Sequence, residues 1–348
     1  MTAHPDASRA PSRVAMVRGD DRAAIVRRAL EAVIDELPWR DYRRVVVKPN
    51  LVISRAEHAI THRDTLETIL AMVRQRYEGH LTIAEGCAIE PTAHAFAMHR
   101  YPELAQQYAC QLVDLNSDGT VTIEAIGRGQ QQIQVEMAHT LIHSDCRISV
   151  TVPKTHDAVI FTGSIKNVIM AGLVNRRVAE QPRRARLLDR VGRLAFGHGN
   201  GWGSDKVAMH QHPAIMNLNL ARIAPLVWPQ LSIIDGYCAM EGNGPVWGTP
   251  VPWRVAFAGT DPLAVDVTAL ELMGFSLDEI GYLHYCAQAE LGRFRPDAIE
   301  VVGNVTRAEV ARPFVRHPRE ATQRNWQTAD ADAWLSSPLH ATPPTAAT

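Results

Sequence analysis

Five apolar runs in this chain each stop at a charged residue beside glycine, proline or asparagine. Residues 43–52 read RRVVVKPNLV, 81–86 LTIAEG, 148–154 ISVTVPK, 231–236 LSIIDG and 255–261 VAFAGTD. Runs this short and rich in Val, Ile and Ala fit strands buried on both faces. The segments between them have a different spacing. Ile25, Ala29, Leu30, Val33 and Ile34 recur at helical intervals within residues 21–36, as do Leu66, Ile69, Leu70 and Val73 within 64–76. Buried strands alternating with amphipathic helices predict an α/β fold, a mainly parallel sheet with flanking helices, in two lobes around a cleft. Ligands of such sheets collect at the carboxyl ends of the strands. Lys48, Glu85, Lys154 and Asp235 stand at such ends in this chain, as does Asp261.

Residues 151–173, TVPKTHDAVIFTGSIKNVIMAGL, concentrate the chemistry. Lys154 and His156 share one side of an extended segment. Thr162 and Gly163 precede an apolar helical stretch that carries Lys166 and Asn167 near its start, and exposed amides at that start would favour an anion. Lysine is scarce. Lys48, Lys154, Lys166 and Lys206 are the only four, and the other 32 of the 36 lysines and arginines are arginine. Three of the four at strand ends or a helix start predict an anion-binding set, or an amine tuned by desolvation, over solvated surface charge.

The remaining candidates follow from residue type and place. His156 reads as a general acid or base or as a metal ligand, with Lys154 and Lys166 as its catalytic partners. Lys48, Asn50, Thr162, Gly163 and Asn167 would contact a ligand. Gly242, Asn243 and Gly244, before Pro245, form a permissive loop whose amides can approach one closely. Glu85, Asp235 and Glu241 are acids that could hold a divalent metal. His198, His210 and His212 in a glycine-rich stretch are a second metal candidate, with a plain surface loop as the alternative. Asp261 before Pro262 reads as a helix cap, and Asp266 as a structural hydrogen-bonding group inside a helix.

Residues 1–12 are polar and read as a frayed tail, 13–311 as the folded domain, and 312–348, rich in Pro, His and Ala, as a C-terminal tail. Residues 175–212 change character, first Arg-rich and then Gly-rich, and read as a surface excursion that is a candidate lid. TVTIEAI and IQVEM flank a turn at 127–132 and predict a hairpin.

The formal net charge of -1 gives no global field for nucleic acid. The five cysteines are scattered with no C-x-x-C pair, which excludes an iron–sulfur run or zinc ribbon built within this sequence and suits a reducing compartment. The N-terminus has no apolar signal-peptide core, and no apolar run is long enough to span a bilayer, so a cytoplasmic location without membrane contact is expected. There is no G-x-G-x-x-G after the first strand and no P-loop.

VVVKPNLV, VPKTH, TGSIKNVIMAGL, IIDGYCAMEGNGPVWGTPV, AGTDPLAVDVTALELMGF and IGYLHYCAQAELG occur in order, and together they resemble the Domain of Unknown Function 362 family. The resemblance covers roughly residues 13–303. Many members carry ferredoxin-type cysteine runs, which this chain lacks, so the resemblance implies a separate iron–sulfur partner as one route to a redox role. A more distant resemblance is to the nickel-pincer lactate racemases, on the order of His156, Gly163 and Lys166. It implies a contact between Lys166 and a nucleotide-like cofactor and a proton shuttle at His156.

The expected function is an enzyme that takes a small anionic substrate or nucleotide-like cofactor in the cleft and moves a proton or hydride next to a carboxylate. A non-catalytic redox-accessory or cofactor-carrying protein and a magnesium-dependent phosphate-handling transferase or ligase are the alternatives.

Overall fold

The computed structural model describes residues 10–176, 205–210, 212–337, 339 and 341–342. Eight strands form the main sheet: β1 (Ser12–Arg18), β2 (Arg44–Lys48), β3 (His80–Glu85), β4 (Gln111–Asp114), β7 (Cys146–Thr151), β10 (Leu231–Gly236), β13 (Val255–Gly259) and β14 (Ile299–Gly303). Their order is β14-β1-β13-β10-β7-β2-β3-β4. Every neighbouring pair is parallel except the two that β13 makes with β1 and β10. The sheet is thus mainly parallel, with one reversed strand inside it.

Two small sheets complete the β structure. The hairpin of β5 (Thr120–Ile126) and β6 (Gln132–Ala138) runs in the register Thr120↔Ala138, where the sequence pattern places it. The strands β8 (Lys154–His156), β9 (Ile160–Thr162), β11 (Ala239–Glu241) and β12 (Thr249–Val251) form a four-stranded sheet just past the carboxyl ends of β7 and β10.

Alternation along the strands feeds two apolar layers. Ala15, Val17, Val45 and Val47 face α1 (Arg22–Glu31), α2 (Arg63–Arg74), α3 (Thr92–Met98) and α4 (Tyr101–Gln107). Val14, Met16, Val46 and Phe257 face the other side, with α6 (Ser164–Gly172), α8 (Pro213–Ile223), α9 (Pro262–Leu272) and α10 (Gly281–Gln288). The short helices α5 (His139–Ile142) and α7 (Asp205–Met209) add Leu141 and Met209 to this second layer. Both apolar clusters share one sheet, so the expected two lobes are not two separate cores.

Helix α6 is apolar nearly all round and buried along its length, with only Met170 half-exposed. Its start is fixed from another helix. The carboxylate of Asp266, on α9, accepts the amides of Ser164 at 2.6 Å and Ile165 at 3.1 Å. These are the amides expected to hold a ligand anion, and the protein's own carboxylate already occupies them. Gly163 makes this possible, because a Cβ there would stand 2.3 Å from Asp266 Oδ1.

Residues 312–337 are not a tail. Phe314, Trp326 and Ala331 are buried, Gly242 N donates to Val315 O at 2.8 Å, and Gln323 Nε2 donates to the His156 carbonyl at 2.6 Å. A few large apolar anchors outweigh the polar composition of this stretch. The Arg-rich centre of the 175–212 excursion, including His198, lies outside the described residues.

Candidate functional site

Strand β2 delivers Lys48 to the sheet's carboxyl edge, and Pro49 ends the strand there. Strand β3 delivers Glu85 beside it, and the turn after β7 delivers Lys154. Chain order moves from β2 to β3 on one side and later places β7 on the other. The site therefore straddles the point where connections leave in opposite directions, which is where open α/β sheets bind ligands.

Lys48 and Lys154 are 2% and 1% exposed. Burial at this depth demands partners. Lys48 Nζ lies 3.2 Å from Glu85 Oε2 and donates to Asn167 Oδ1. Lys154 Nζ donates to Asn50 Oδ1 at 2.7 Å and to the Ala59 carbonyl at 2.6 Å. Asn50 then passes its own Nδ2 to Asn167 Oδ1 at 2.8 Å. Asn167 Nδ2 reaches Ser149 Oγ at 3.1 Å and the Val150 carbonyl at 3.2 Å. Each amide turns its oxygen to a lysine and its nitrogen to an acceptor. Glu85 is held in turn by the amides of Leu51 at 2.6 Å and Gly86 at 2.8 Å.

Lys166 is different, because a histidine takes the place of a carboxylate or carbonyl beside its amine. Its Nζ lies 2.9 Å from His156 Nε2. Burial lowers the amine to about 7, against an opposing pull from Asp157 and with a further push from Lys48. Burial, Lys166 and His210 hold the His156 imidazole well below its usual value. Lys154 is lowered by burial and by the charges of Lys166 and Lys48, and Lys206 by burial to about 8.

All four lysines of the chain line one cleft of about 440 Å³. Lys206, on α7, reaches it from the excursion, donating to the Gly86 carbonyl and to Asn116 Oδ1 at 3.4 Å. His210 follows, its ring centroid 6.3 Å from that of His156 and its Nδ1 against the Lys206 carbonyl. From the C-terminal segment come His317 and Arg319. Lys206, His317 and Arg319 were not assigned to the site from the sequence; the scarcity of lysine is the signal that could have found Lys206. The lip is apolar, with Ile89 49% and Trp247 76% exposed.

Thr162 lines the same cleft at 2% exposure, and its hydroxyl has no hydrogen-bond partner. His317 Nε2 is likewise buried without one. Orphaned polar atoms on a cationic wall are what a ligand with acceptor oxygens would complete.

Several sequence candidates lie elsewhere. Asn243 and Gly244 line the cleft, but Gly242 does not. Gly242 takes a φ of +73° that suits glycine and accepts from Thr155 Oγ1 at 2.9 Å. Gly163 serves the Asp266 cap. Asp235 is fully buried, accepting from Thr65 Oγ1 at 2.5 Å and pairing with Arg22 at 3.3 Å. Glu241 accepts the Val315 amide at 3.0 Å. Among the described residues no three His, Cys, Asp or Glu side chains converge as a metal site, so Glu85, Asp235 and Glu241 do not form one. His212 caps α8, its Nδ1 accepting from the Ala214 amide at 3.2 Å. The five cysteines are free, and among the described residues none joins a cluster that fits iron–sulfur ligation.

A larger hollow of about 1030 Å³ lies around Trp228, Asp261 and Arg293, near the amino-terminal ends of the parallel strands. Its buried acid, Asp261, is consumed structurally by Ser12 Oγ and the amides of Leu263, Ala264 and Arg293.

The family model described as a domain of unknown function, DUF362, matches residues 45–271. This chain belongs to the DUF362 family. The match runs from β2 to the last turn of α9, so it contains all four cleft lysines and Asp266. This DUF362 chain is 34% identical over 108 residues to a thylakoid-associated protein of Synechocystis sp., covering 31% of this chain and 30% of that protein. It thus spans under a third of that curated relative's length. Two solved structures are distantly similar. One is the lactate racemase apoprotein of Thermoanaerobacterium thermosaccharolyticum, at TM-score 0.40 and 13% identity over 75% of this chain and 56% of that one. The other is a structural-genomics protein of Thermotoga maritima, at TM-score 0.42 and 12% identity over 78% and 59%. Among the described residues no helix of the DUF362 chain is long and apolar enough to cross a membrane.

Proposed function

We propose that the chain is an enzyme that binds a small anionic substrate, or the phosphate of a nucleotide-like cofactor, in the lysine cleft. The single observation that carries this reading is that all four lysines line one cleft, each 5% exposed or less. Buried ammonium groups cost stability unless compensated. Among the cleft-lining carboxylates only Glu85 and Asp157 face them, and Glu85 is held by Lys48 and two amides. An anion would supply the missing charge, with Thr162 Oγ1 and His317 Nε2 as further contacts.

Lys154 and Lys48 bind the charge, Asn50 and Asn167 hold those lysines in place, and the His156–Lys166 pair moves a proton. Two groups in contact, both lowered toward or below neutral pH, can exchange a proton with a substrate carbon at little cost. Proton or hydride transfer at a carbon next to a carboxylate is the chemistry that fits. A hydride acceptor would be a nucleotide-like cofactor, its phosphate held by the lysines. A magnesium-dependent phosphate-handling enzyme fits less well, because among the described residues the cleft offers no converging carboxylates to hold the ion.

The test is solvent exchange. The protein is incubated in D₂O with a panel of 2-hydroxy, 2-oxo and 2-amino acids, and deuterium at the carbon next to the carboxylate is read by NMR. Exchange on one member, lost in His156→Ala and Lys166→Ala, is expected. If both variants stay folded and exchange at the wild-type rate, the assignment of the pair is wrong.

A further inference from the structure

The contact between Lys166 and His156 fixes which of the two holds a proton. The amide of Ala158 donates to His156 Nδ1 at 3.0 Å, so Nδ1 presents a lone pair. Asp157 Oδ1 lies 3.1 Å from Nδ1, but as an ion-pair distance and not as an in-line hydrogen bond to the ring. A neutral imidazole with a bare Nδ1 carries its hydrogen on Nε2. That hydrogen points at Lys166 Nζ, 2.9 Å away, and an ammonium has no lone pair to receive it. The partner must be a free amine. No carboxylate among the described residues pairs with Lys166, and its amine lines the cleft.

We infer that Lys166 is a nucleophile that forms an imine with a carbonyl compound carrying an anionic group, 2-oxo acids being the substrate class. This rests on the anion-binding reading above and makes its chemistry covalent. The Nζ lone pair forms a bond to the carbonyl carbon, and the C=O π pair moves to oxygen. One Nζ proton passes to that oxygen. The resulting hydroxyl then leaves with the second Nζ proton as one water, and the nitrogen lone pair closes the C=N bond. No oxidant, reductant or co-reactant is consumed. The neutral imine nitrogen keeps a lone pair, so it goes on accepting the His156 Nε2–H bond that the amine accepted before. The adjacent carboxylate falls to Lys154 and Lys48; the charge of Lys48 already bears on both Lys154 and Lys166. Burial suits this step, because it favours the uncharged, nucleophilic amine.

The chain is well suited to a test, because its lysines number four and the adduct can be assigned by peptide mass mapping. Wild-type protein is treated with glyoxylate, pyruvate or pyridoxal 5′-phosphate in the presence of sodium cyanoborohydride, with oxalate binding measured in parallel by calorimetry. The expected result is a reduced adduct on Lys166, at least tenfold over the other lysines and the N-terminal amine, and suppressed by oxalate. Oxalate binding with no Lys166 adduct from any of the three carbonyl probes overturns the imine and leaves the anion site standing. Neither binding nor adduct overturns both. Adducts spread evenly over the amines also overturn it. Lys166→Arg, whose guanidinium cannot form the imine, is expected to abolish the adduct.

Discussion

Asp266 Oδ1 receives the Ser164 amide at 2.6 Å, so a carboxylate from α9 sets where α6 begins and therefore where Lys166 and Asn167 point. Burial raises the Asp266 carboxyl to about 7 even though two amides favour its charged form. Replacing it by alanine leaves two buried amides without acceptors. That is expected to cost about 2–4 kcal/mol, from the loss of a cap and the desolvation of the orphaned donors. Chemical denaturation of Asp266→Ala checks it, and a change under about 0.5 kcal/mol, the size of a plain surface substitution, would contradict the role.

Gly163→Ala tests the same joint from the other side. The added Cβ would meet Asp266 Oδ1 at 2.3 Å, so either the cap or the helix start has to shift. Destabilisation of about 1–3 kcal/mol is expected for forcing a group into a packed site. Anion affinity should fall with it, because Lys166 and Asn167 move with the helix.

The cleft stores unfavourable energy in its buried lysines. Lys154→Met keeps the volume and removes a buried amine that the charges of Lys166 and Lys48 disfavour, so the ligand-free fold is expected to gain stability, less about 1–3 kcal/mol for the Asn50 Oδ1 and Ala59 carbonyl acceptors left without a donor. Anion binding is lost at the same time. A melting temperature that falls without ligand would show that Asn50 and Ala59 compensate the lysine fully.

The pH dependence follows with a definite sign. Lys166 is lowered to about 7 and Lys206 to about 8 in the fold, from a usual value of 10.5. Between pH 7 and roughly 8.5, below most cysteine and tyrosine ionisation, the unfolded chain therefore binds more protons than the native one, and stability rises with pH. Below the folded values both states carry the charge and this contribution levels off. Glu85, Asp157, His156, His210, Lys48 and Lys154 face these amines. Anion affinity should move oppositely, weakening as the two amines lose their protons. Melting curves at several pH values, with and without oxalate, read both slopes.

Much of this was legible in the sequence. Short runs rich in Val, Ile and Ala ending in Lys48, Glu85, Lys154 and Asp235 mark strands, and the fold brings Lys48, Asn50, Lys154, His156, Thr162, Lys166 and Asn167 together. The direction of β13 was not legible, because a strand buried on both faces looks the same either way. Asp235 reads as standing at a strand end like Glu85, and Glu241 as lying in the adjacent loop, and the three were grouped for that reason. Only the partners distinguish them: Arg22 and Thr65 for one, and the Val315 amide for the other. Residues 314–326 escaped because Phe314 and Trp326 are isolated anchors with no period to read.

Trp247 sits at the mouth with 76% of its surface open. A ligand with its anion among the lysines can lay a planar ring there. Trp247→Ala is expected to leave stability within about 0.5 kcal/mol. It should weaken AMP by roughly 1–3 kcal/mol, the usual worth of a base stacked on an aromatic side chain, and leave inorganic phosphate unchanged. Equal losses for both ligands would place the tryptophan elsewhere in the energetics.

The most direct measurement of the central claim is calorimetric titration of the wild-type protein and of Lys154→Met with oxalate and inorganic phosphate at low salt. The predicted result is one saturable site on the wild type, weakened at least tenfold in the variant and by added salt. A folded wild type that binds neither anion, or a variant that binds them as well as the wild type, would contradict the lysine cleft as an anion site.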